Sequence, residues 1–353
     1  MTKSIYQAIH PDFKFNGSYL SREELCNIAL DYLEDDLEYL KNTGSFLLKW
    51  FDDNDFIEVQ TSGTTGTPKL ITVNKIAMYN SAVATGSFFG LKSGNTALCC
   101  LPVKYIAGKM MLIRALVLGL EIDLVEPKSS PMNRDKFYDF VAMVPLQVEN
   151  SIDKLNLIGQ LIIGGTKLKP ELASEILKSS CKAFETYSMT ETVTHVAAKK
   201  VGMEAFKILP NVSISLDNRG CLVIDAPKLN PGIIVTNDLV SIISDAEFIW
   251  KGRADNVINS GGIKLFPEQI EDKISDKINN RFFIGGIPDD RLGEKLALII
   301  EGENFTIEEK IFKDLEKYEK PKTVIFVSKF QETETGKIKR KEIMNSIIKK
   351  EQL

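Results

Sequence analysis

Thr61-Ser62-Gly63-Thr64-Thr65-Gly66-Thr67-Pro68-Lys69 lies between two short apolar runs, Phe56–Gln60 and 70–73. The runs read as strands, so these residues make a strand-flanked polar loop. Gly63 and Gly66 let the backbone bend until successive N–H groups face one anion. Thr61, Ser62, Thr64, Thr65 and Thr67 add hydroxyls that rotate to suit phosphate oxygens, and Lys69 adds a point charge. A Walker sequence is absent: Pro68 precedes the lysine, and strand rather than helix follows. A generic Gly/Thr/Ser loop reads as a polar hairpin turn. This segment's density of hydroxyls and its Pro-Lys ending favour a polyphosphate cradle.

Outward from the loop the pattern alternates. Residues 21–41 place Leu25, Ile28, Ala29, Tyr32, Leu33 and Leu37 at helical spacing, with Ser21 and Glu24 as a capping box. After the loop and its strand come a helix over 75–90, a strand over 97–103, a helix through 110–118 and a strand over 121–127. Residues 135–143 precede a short apolar break, and a strand at 161–163 ends in Gly164-Gly165 before a helix over 169–179. This alternation predicts a largely parallel sheet with covering helices. The runs at 212–216, 221–224, 232–235 and 247–250, separated by Asp217-Asn218-Arg219-Gly220 and similar turns, predict short antiparallel strands. Beyond 251–255 a Gly-rich loop, a helix over 267–278, strands near 282–287 and 296–300, a helix over 307–318 and a strand over 323–326 predict a compact α+β unit. The expected class is α/β. A large N-terminal domain over 1–254 carries mostly parallel sheets and a small antiparallel region, and a small mobile α+β domain spans 255–353.

Composition narrows the function. Hydrophobic residues make up 44% and charged residues 26%, as in globular proteins with an ordinary core. A net charge of −4 gives no reason to expect nucleic acid as a partner. The basic residues of 337–350 are interleaved with apolar ones and read as an amphipathic helix. Five cysteines without CxxC spacing argue for a reducing compartment and against a zinc site, and two histidines exclude a multi-histidine metal centre. The first residues lack the apolar core of a signal peptide. The most apolar stretch, 110–120, contains Arg114 and is too short to span a bilayer. These features predict a cytoplasmic protein without a membrane span.

Further segments follow in order. Tyr187-Ser188-Met189-Thr190-Glu191-Thr192 offers an aromatic face for a purine, then a hydroxyl and a carboxylate for phosphate oxygens and Mg²⁺. Thr236-Asn237-Asp238 supplies a carboxylate able to accept two hydrogen bonds from a vicinal diol. Residues 251–271 run KGRADNVINSGGIKLFPEQIE, and 333–338 run TETGKI. Together with the 61–69 loop, this set resembles the acyl-adenylate-forming superfamily of acyl-CoA synthetases, peptide-synthetase adenylation domains and luciferases. The resemblance implies ATP, Mg²⁺ and coenzyme A acting on a small-molecule carboxylate. It implies that Thr61, Ser62, Gly63, Thr64, Thr65, Gly66 and Lys69 close over the β- and γ-phosphates. Gly164 and Gly165 would line the adenine and acyl pockets, Tyr187 would lie against adenine, and Thr190 would contact phosphate. Glu191 would hold Mg²⁺, Asp238 would accept from ribose, and Arg253 would contact ribose or phosphate. Asp255 would be the hinge, Gly261 and Gly262 would face the thioester site after rotation, and Lys337 would stabilise charge on the α-phosphate. In the Tyr187–Thr192 and Thr236–Asp238 segments, Ser188 and Asn237 stand where the family usually has glycine, the latter tolerable because Asn visits left-handed backbone.

Residues 101–109, LPVKYIAGK, sit where the family has Leu-Pro-x-x-His-x-x-Gly, with Tyr105 replacing the histidine. The family usually carries far more chain before the phosphate loop than the 60 residues here, so the resemblance implies an N-terminally trimmed large domain and a small acid. These features and Thr194-His195-Val196 after the Thr-Glu pair are most similar to o-succinylbenzoate–CoA ligases of menaquinone biosynthesis. Tyr105, Lys109, Thr194 and His195 are the expected substrate contacts. The plainer alternatives are a water-facing Lys109 and a helix-capping His195. A short-chain or aryl acid ligase, or a module loading a carrier-protein thiol, would share the nucleotide motifs.

Overall fold

The computed structural model describes residues 5–60, 70–332 and 338–351. Strands β1 (Lys14–Phe15) and β2 (Ser18–Tyr19) precede helix α1 (Arg22–Leu33). The capping box forms: the Glu24 amide donates to the Ser21 hydroxyl at 3.3 Å, and the Ser21 amide donates to the Glu24 carboxylate at 2.7 Å. The single helix expected over 21–41 is broken. Asp35 Oδ1 accepts the Leu37 amide at 2.8 Å, a local side-chain bond that competes with helix, and α2 (Glu38–Phe51) follows and packs against α1. Its apolar face of Phe46, Leu47, Trp50 and Phe51 is buried in the main core.

Strands β3 (Phe56–Gln60) and β4 (Leu70–Asn74) pair antiparallel, with Gln60 opposite Leu70. Helix α3 (Lys75–Phe89), β5 (Thr96–Cys99), α4 (Ile106–Leu118) and β6 (Glu121–Leu124) continue the alternation. Residues 108–116 of α4 are buried all round, as a helix apolar on every face requires. The stretch 135–143 supplies β7 (Tyr138–Met143), followed by α5 (Pro145–Glu149), β8 (Ile158–Ile163), α6 (Pro170–Leu177) and β9 (Lys182–Ser188). Then come β10 (His195–Lys200), β11 (Ala205–Ile208), β12 (Ser213–Leu216), β13 (Cys221–Asp225), β14 (Ile234–Ser244) and β15 (Glu247–Arg253).

The expected parallel and antiparallel regions are halves of one 13-stranded sheet, in the order β12-β13-β14-β15-β11-β10-β9-β8-β7-β5-β6-β1-β2. From β1 through β6, β5, β7 and β8 to β9 every pairing is parallel. From β9 through β10 to β12 every pairing is antiparallel. The central parallel strands β7 and β8 are largely buried apolar runs, whereas β14 alternates between buried and more exposed residues along much of its length.

A short turn, Ala254–Asn256, leads to β16 (Ile258–Ser260) and β17 (Ile263–Leu265). Gly261 and Gly262 at φ +58° and +83° form the two-residue turn between them, which needs left-handed backbone at both positions. Helix α7 (Pro267–Ile274), β18 (Phe282–Asp289), β19 (Gly293–Glu301), β20 (Thr323–Val327) and α8 (Arg340–Glu351) complete a five-stranded sheet with packed helices. The helix expected over 307–318 contracts to one 3₁₀ turn, Glu309–Phe312. Ile307, Ile311, Phe312 and Leu315 still reach the core, so burial is met by turns and helical propensity is overridden. Among the described residues no helix is long and apolar enough to cross a membrane.

Arg340 at the start of α8 makes a bidentate pair with Glu271 of α7, both bonds at 2.7 Å, and Glu271 also accepts the Ile284 amide at 2.9 Å. This pair ties α8 to α7 and β18. Replacing Arg340→Met leaves Glu271 without its counter-charge. The unfolding free energy should fall by roughly 2–3 kcal/mol in urea titration, below the ~3–5 kcal/mol of a fully buried pair because Arg340 is partly exposed.

Candidate active site

In an open α/β sheet, ligands gather at the carboxyl ends of parallel strands where the topology changes. Here that place is the β8–β9–β10 junction. Strand β8 ends at Ile163 and leads into Gly164-Gly165, and β9 ends at Tyr187-Ser188 beside it. The Thr186 hydroxyl donates to the Ile163 carbonyl at 3.1 Å and ties the two ends together.

Asp238 on β14 is buried and gathers the nearest set of donors. The Tyr187 hydroxyl donates to Oδ2 at 2.7 Å and Trp250 Nε1 donates to Oδ1 at 3.2 Å. Arg253 Nη1 lies 3.6 Å from Oδ1, and its Nη2 lies 3.8 Å from Asp255. Burial, then the Asp238 charge, push the Tyr187 hydroxyl well above the usual phenol range, so it stays a donor. The Tyr187 ring meets Phe206 and Phe248 edge-on at 5.9 and 5.3 Å. The structure thus unites Tyr187, Asp238, Arg253 and Asp255 from three separate sequence segments. Asn237 lies within strand β14 and needs no left-handed backbone, so the expected reason for tolerating it in place of glycine does not apply.

Between β9 and β10 the chain makes a 3₁₀ turn, Thr190–Thr192, and then a strained residue. Val193 has φ +66° and ψ −56°, a γ-turn conformation, with the Thr194 amide bonded to the Thr192 carbonyl at 2.7 Å. For a β-branched side chain this costs about 1–3 kcal/mol, offset by burying Val193 in the main core. The turn holds the Thr190 and Glu191 side chains out at the surface, while the Glu191 carbonyl accepts Asn230 Nδ2 at 3.1 Å.

Behind the turn lies a buried basic cluster. His195 opens β10 rather than capping a helix. Its ring nitrogens lie 3.4 Å from the Thr85 hydroxyl and 3.3 Å from the Thr194 hydroxyl. Arg114 of α4 is 2% exposed, and its Nη2 donates to Thr194 Oγ1 at 3.4 Å. Among the described residues its Nε has no partner, and its hydrogen bonds go to the Met111 sulfur and the Thr194 hydroxyl, neither of them an anion. Burial pulls the guanidinium down to about 10, so it is charged at neutral pH. Burial first, and the Arg114 charge second, hold His195 well below its ordinary value.

Lys109 points elsewhere and does not face water. Its ammonium donates to the Val103 and Lys104 carbonyls at 2.6 and 2.7 Å, lies over the Phe46 ring, and is drawn down to about 8 by burial and by Lys49. Tyr105 is the exposed N-cap residue of α4. Gly261 and Gly262 lie in the β16–β17 turn, where Gly261 donates to the Leu292 carbonyl at 2.8 Å. Thr61 to Lys69 and Lys337 lie outside the described residues. Sequence pattern alone assigns no site role to Arg114 or Trp250. The available signal was a lone arginine inside an apolar helical run, which in a core demands an anion.

Residues 52–234, more than half of the chain, match the family described as AMP-binding enzyme. An acyl-CoA synthetase (AMP-forming)/AMP-acid ligase II-like protein from Dyadobacter fermentans is 35% identical, with a TM-score of 0.62 over 91% of this chain and 98% of that one. The 2-succinylbenzoate–CoA ligase of Listeria monocytogenes is 23% identical over 80% of this chain and 68% of its own length. The o-succinylbenzoate coenzyme A synthetase of Bacillus subtilis, solved with ATP and magnesium ion, shares the fold at a TM-score of 0.70 and 18% identity, over 81% of this chain and 69% of that one.

A histidine kept neutral by the fold makes stability depend on pH. Below the ordinary histidine value the unfolded chain binds a proton that the folded chain refuses. Stability therefore falls as pH drops below about 6.5, by up to about 1.4 kcal/mol per pH unit. His195→Gln should flatten this part of the profile, seen as a smaller loss of Tm between pH 7 and 5.5 than in the unaltered protein.

Proposed function

This chain belongs to the AMP-binding enzyme family, and on that premise we propose that it is an AMP-forming acid–CoA ligase whose acid is o-succinylbenzoate. In this reading the 61–69 loop holds the β- and γ-phosphates. Its anchoring is favourable because the β3–β4 pairing brings Gln60 opposite Leu70 and so joins the loop's two ends. Tyr187 and Gly164-Gly165 border the adenine, and Asp238 takes the ribose hydroxyls. Each Asp238 oxygen keeps a second lone pair beyond its bond to Tyr187 or Trp250. Thr190 contacts phosphate. Mg²⁺, which spreads phosphate charge when bound, would be held by Glu191. An exposed carboxylate beside substrate phosphates suits Mg²⁺, which uses one or two carboxylates rather than an all-protein cage.

The substrate carboxylate attacks the α-phosphorus, pyrophosphate leaves, and acyl-AMP results. Lys337 stabilises the charge that builds on the phosphoryl oxygens. Residues 255–353 then turn relative to 1–254 about Asp255, bringing Gly261 and Gly262 towards the thioester site. The thiolate of CoA attacks the acyl carbon and AMP leaves. The hinge assignment is supported by the short Ala254–Asn256 turn between the two sheets, and by Asp255 lying between Arg253 and Lys341 at 3.8 and 3.7 Å. Five free cysteines suit the reducing cytoplasm.

The observation that carries the choice of acid is Arg114, a buried guanidinium whose partners among the described residues are the Met111 sulfur and the Thr194 hydroxyl rather than a carboxylate, next to His195. An acid with a second carboxylate supplies the missing charge; a simple aryl acid does not.

Lys337→Ala should slow pyrophosphate exchange by about 10² or more while sparing thioester formation from supplied acyl-AMP; equal loss of both half-reactions refutes its role. Among acids assayed for ATP- and CoA-dependent thioester formation, o-succinylbenzoate should give the highest kcat/KM. Arg114→Lys should reduce that value by roughly 10–100-fold and leave benzoate turnover nearly unchanged. Equal loss on both acids would remove the distal-carboxylate assignment.

A further inference from the structure

Strand β14 is irregular where it carries Asp238. Cys221 of β13 pairs with Leu239 and Val223 pairs with Val235, so Leu222 alone stands opposite Thr236, Asn237 and Asp238. Such a bulge re-aims side chains and leaves backbone groups without ladder partners. Two side chains repair it. The Thr236 hydroxyl donates to the Leu222 carbonyl at 2.8 Å and accepts the Asp238 amide at 3.0 Å. Arg219, from the β12–β13 turn, donates through Nη2 to the Thr236 carbonyl at 3.0 Å and through Nη1 to Asn237 Oδ1 at 2.9 Å.

Arg219 is itself fixed. Its Nε donates to Asp217 Oδ2 at 2.8 Å, while Asp217 Oδ1 accepts the Arg219 and Cys221 amides at 2.8 and 2.9 Å. Gly220 at φ +82° completes the turn, a conformation that favours glycine. The rigid guanidinium fork therefore spans three acceptors, two of them on the residues that immediately precede Asp238. Arg219 remains about half exposed, so the contact is a surface clamp on a buried carboxylate's backbone rather than a core element.

We propose that Arg219 is a positioning residue: it holds the 236–238 bulge so that Asp238 presents its carboxylate to the ribose of the nucleotide. Asn237, at the position where the related family carries glycine, is the side chain through which the clamp acts. The inference rests on the nucleotide reading of the Asp238 site and adds to it a specific determinant of nucleotide affinity.

The test measures AMP binding by calorimetry and steady-state kinetics with MgATP, on the full chain, for Arg219→Ala, Arg219→Lys, Asn237→Ala and the Arg219→Ala/Asn237→Ala double variant. Arg219→Ala should weaken AMP binding and raise KM for MgATP about tenfold, the scale of losing hydrogen bonds from a charged donor. Its kcat, its KM for the acid and its Tm should stay near those of the unaltered chain. Arg219→Lys should recover only part of the affinity, since a point charge cannot span the fork. The double variant should bind no worse than Arg219→Ala alone, because both substitutions break one clamp. Unchanged AMP affinity in Arg219→Ala, or losses that multiply in the double variant, would overturn the proposal. Should the unaltered chain itself fail to bind AMP, the nucleotide reading falls and the clamp with it.

Discussion

Strand β9 has a parallel neighbour on one side and an antiparallel neighbour on the other, and the placement of the site follows from that asymmetry. Parallel strands need crossover helices, which cover both faces of the sheet and send the chain back to the same end each time. Antiparallel strands return directly and need no cover. Where the two regimes meet, helices stop shielding the sheet end, and the turns after β8 and β9 open beside strands arriving from the opposite direction. Tyr187 comes from the parallel side, while Asp238, Trp250 and Arg253 come from the antiparallel side. Their convergence needs no long loop.

Charge placement at the junction falls into two kinds. Asp238 is a buried anion surrounded by donors, so its desolvation is met from within the chain. Arg114 is a buried cation whose hydrogen bonds among the described residues go to a hydroxyl and a thioether sulfur, and its charge lowers the basicity of His195. The residues that bond them, Tyr187 for Asp238 and Thr194 for Arg114, precede and follow the strained Val193 turn in the chain. Strain and incomplete pairing are tolerated where the rest of the structure over-determines the geometry, and the thoroughly buried α3 and α4 helices supply that support.

Legibility varied with how local each cause was. The Ser21–Glu24 capping box, the 75–90 helix and the strands at 56–60 and 221–224 depend on neighbours within a few residues, and the structure has them where the sequence puts them. The break after Leu33 turns on one Asp35 bond that periodicity cannot detect. The 307–318 segment has a helical apolar pattern but meets its burial through turns. Lys109 and His195 look like candidate ligands in sequence. Only packing separates a lysine bonded to two carbonyls from a histidine wedged between hydroxyls beside a buried arginine.

From its sequence alone the chain determined an alternating α/β plan, an antiparallel tract after residue 212, and a series of phosphate-, purine- and diol-suited segments in a definite order. Those properties are set by residue type, period and spacing, which need no partner at a distance. Tertiary structure decided that both strand regimes share one sheet, that Thr236–Asp238 forms a bulge clamped by Arg219, and that Arg114 is a buried charge bonded, among the described residues, to neutral groups. Bulges and buried charges are defined by what lies across the fold, and a linear pattern carries no record of which distant groups will meet.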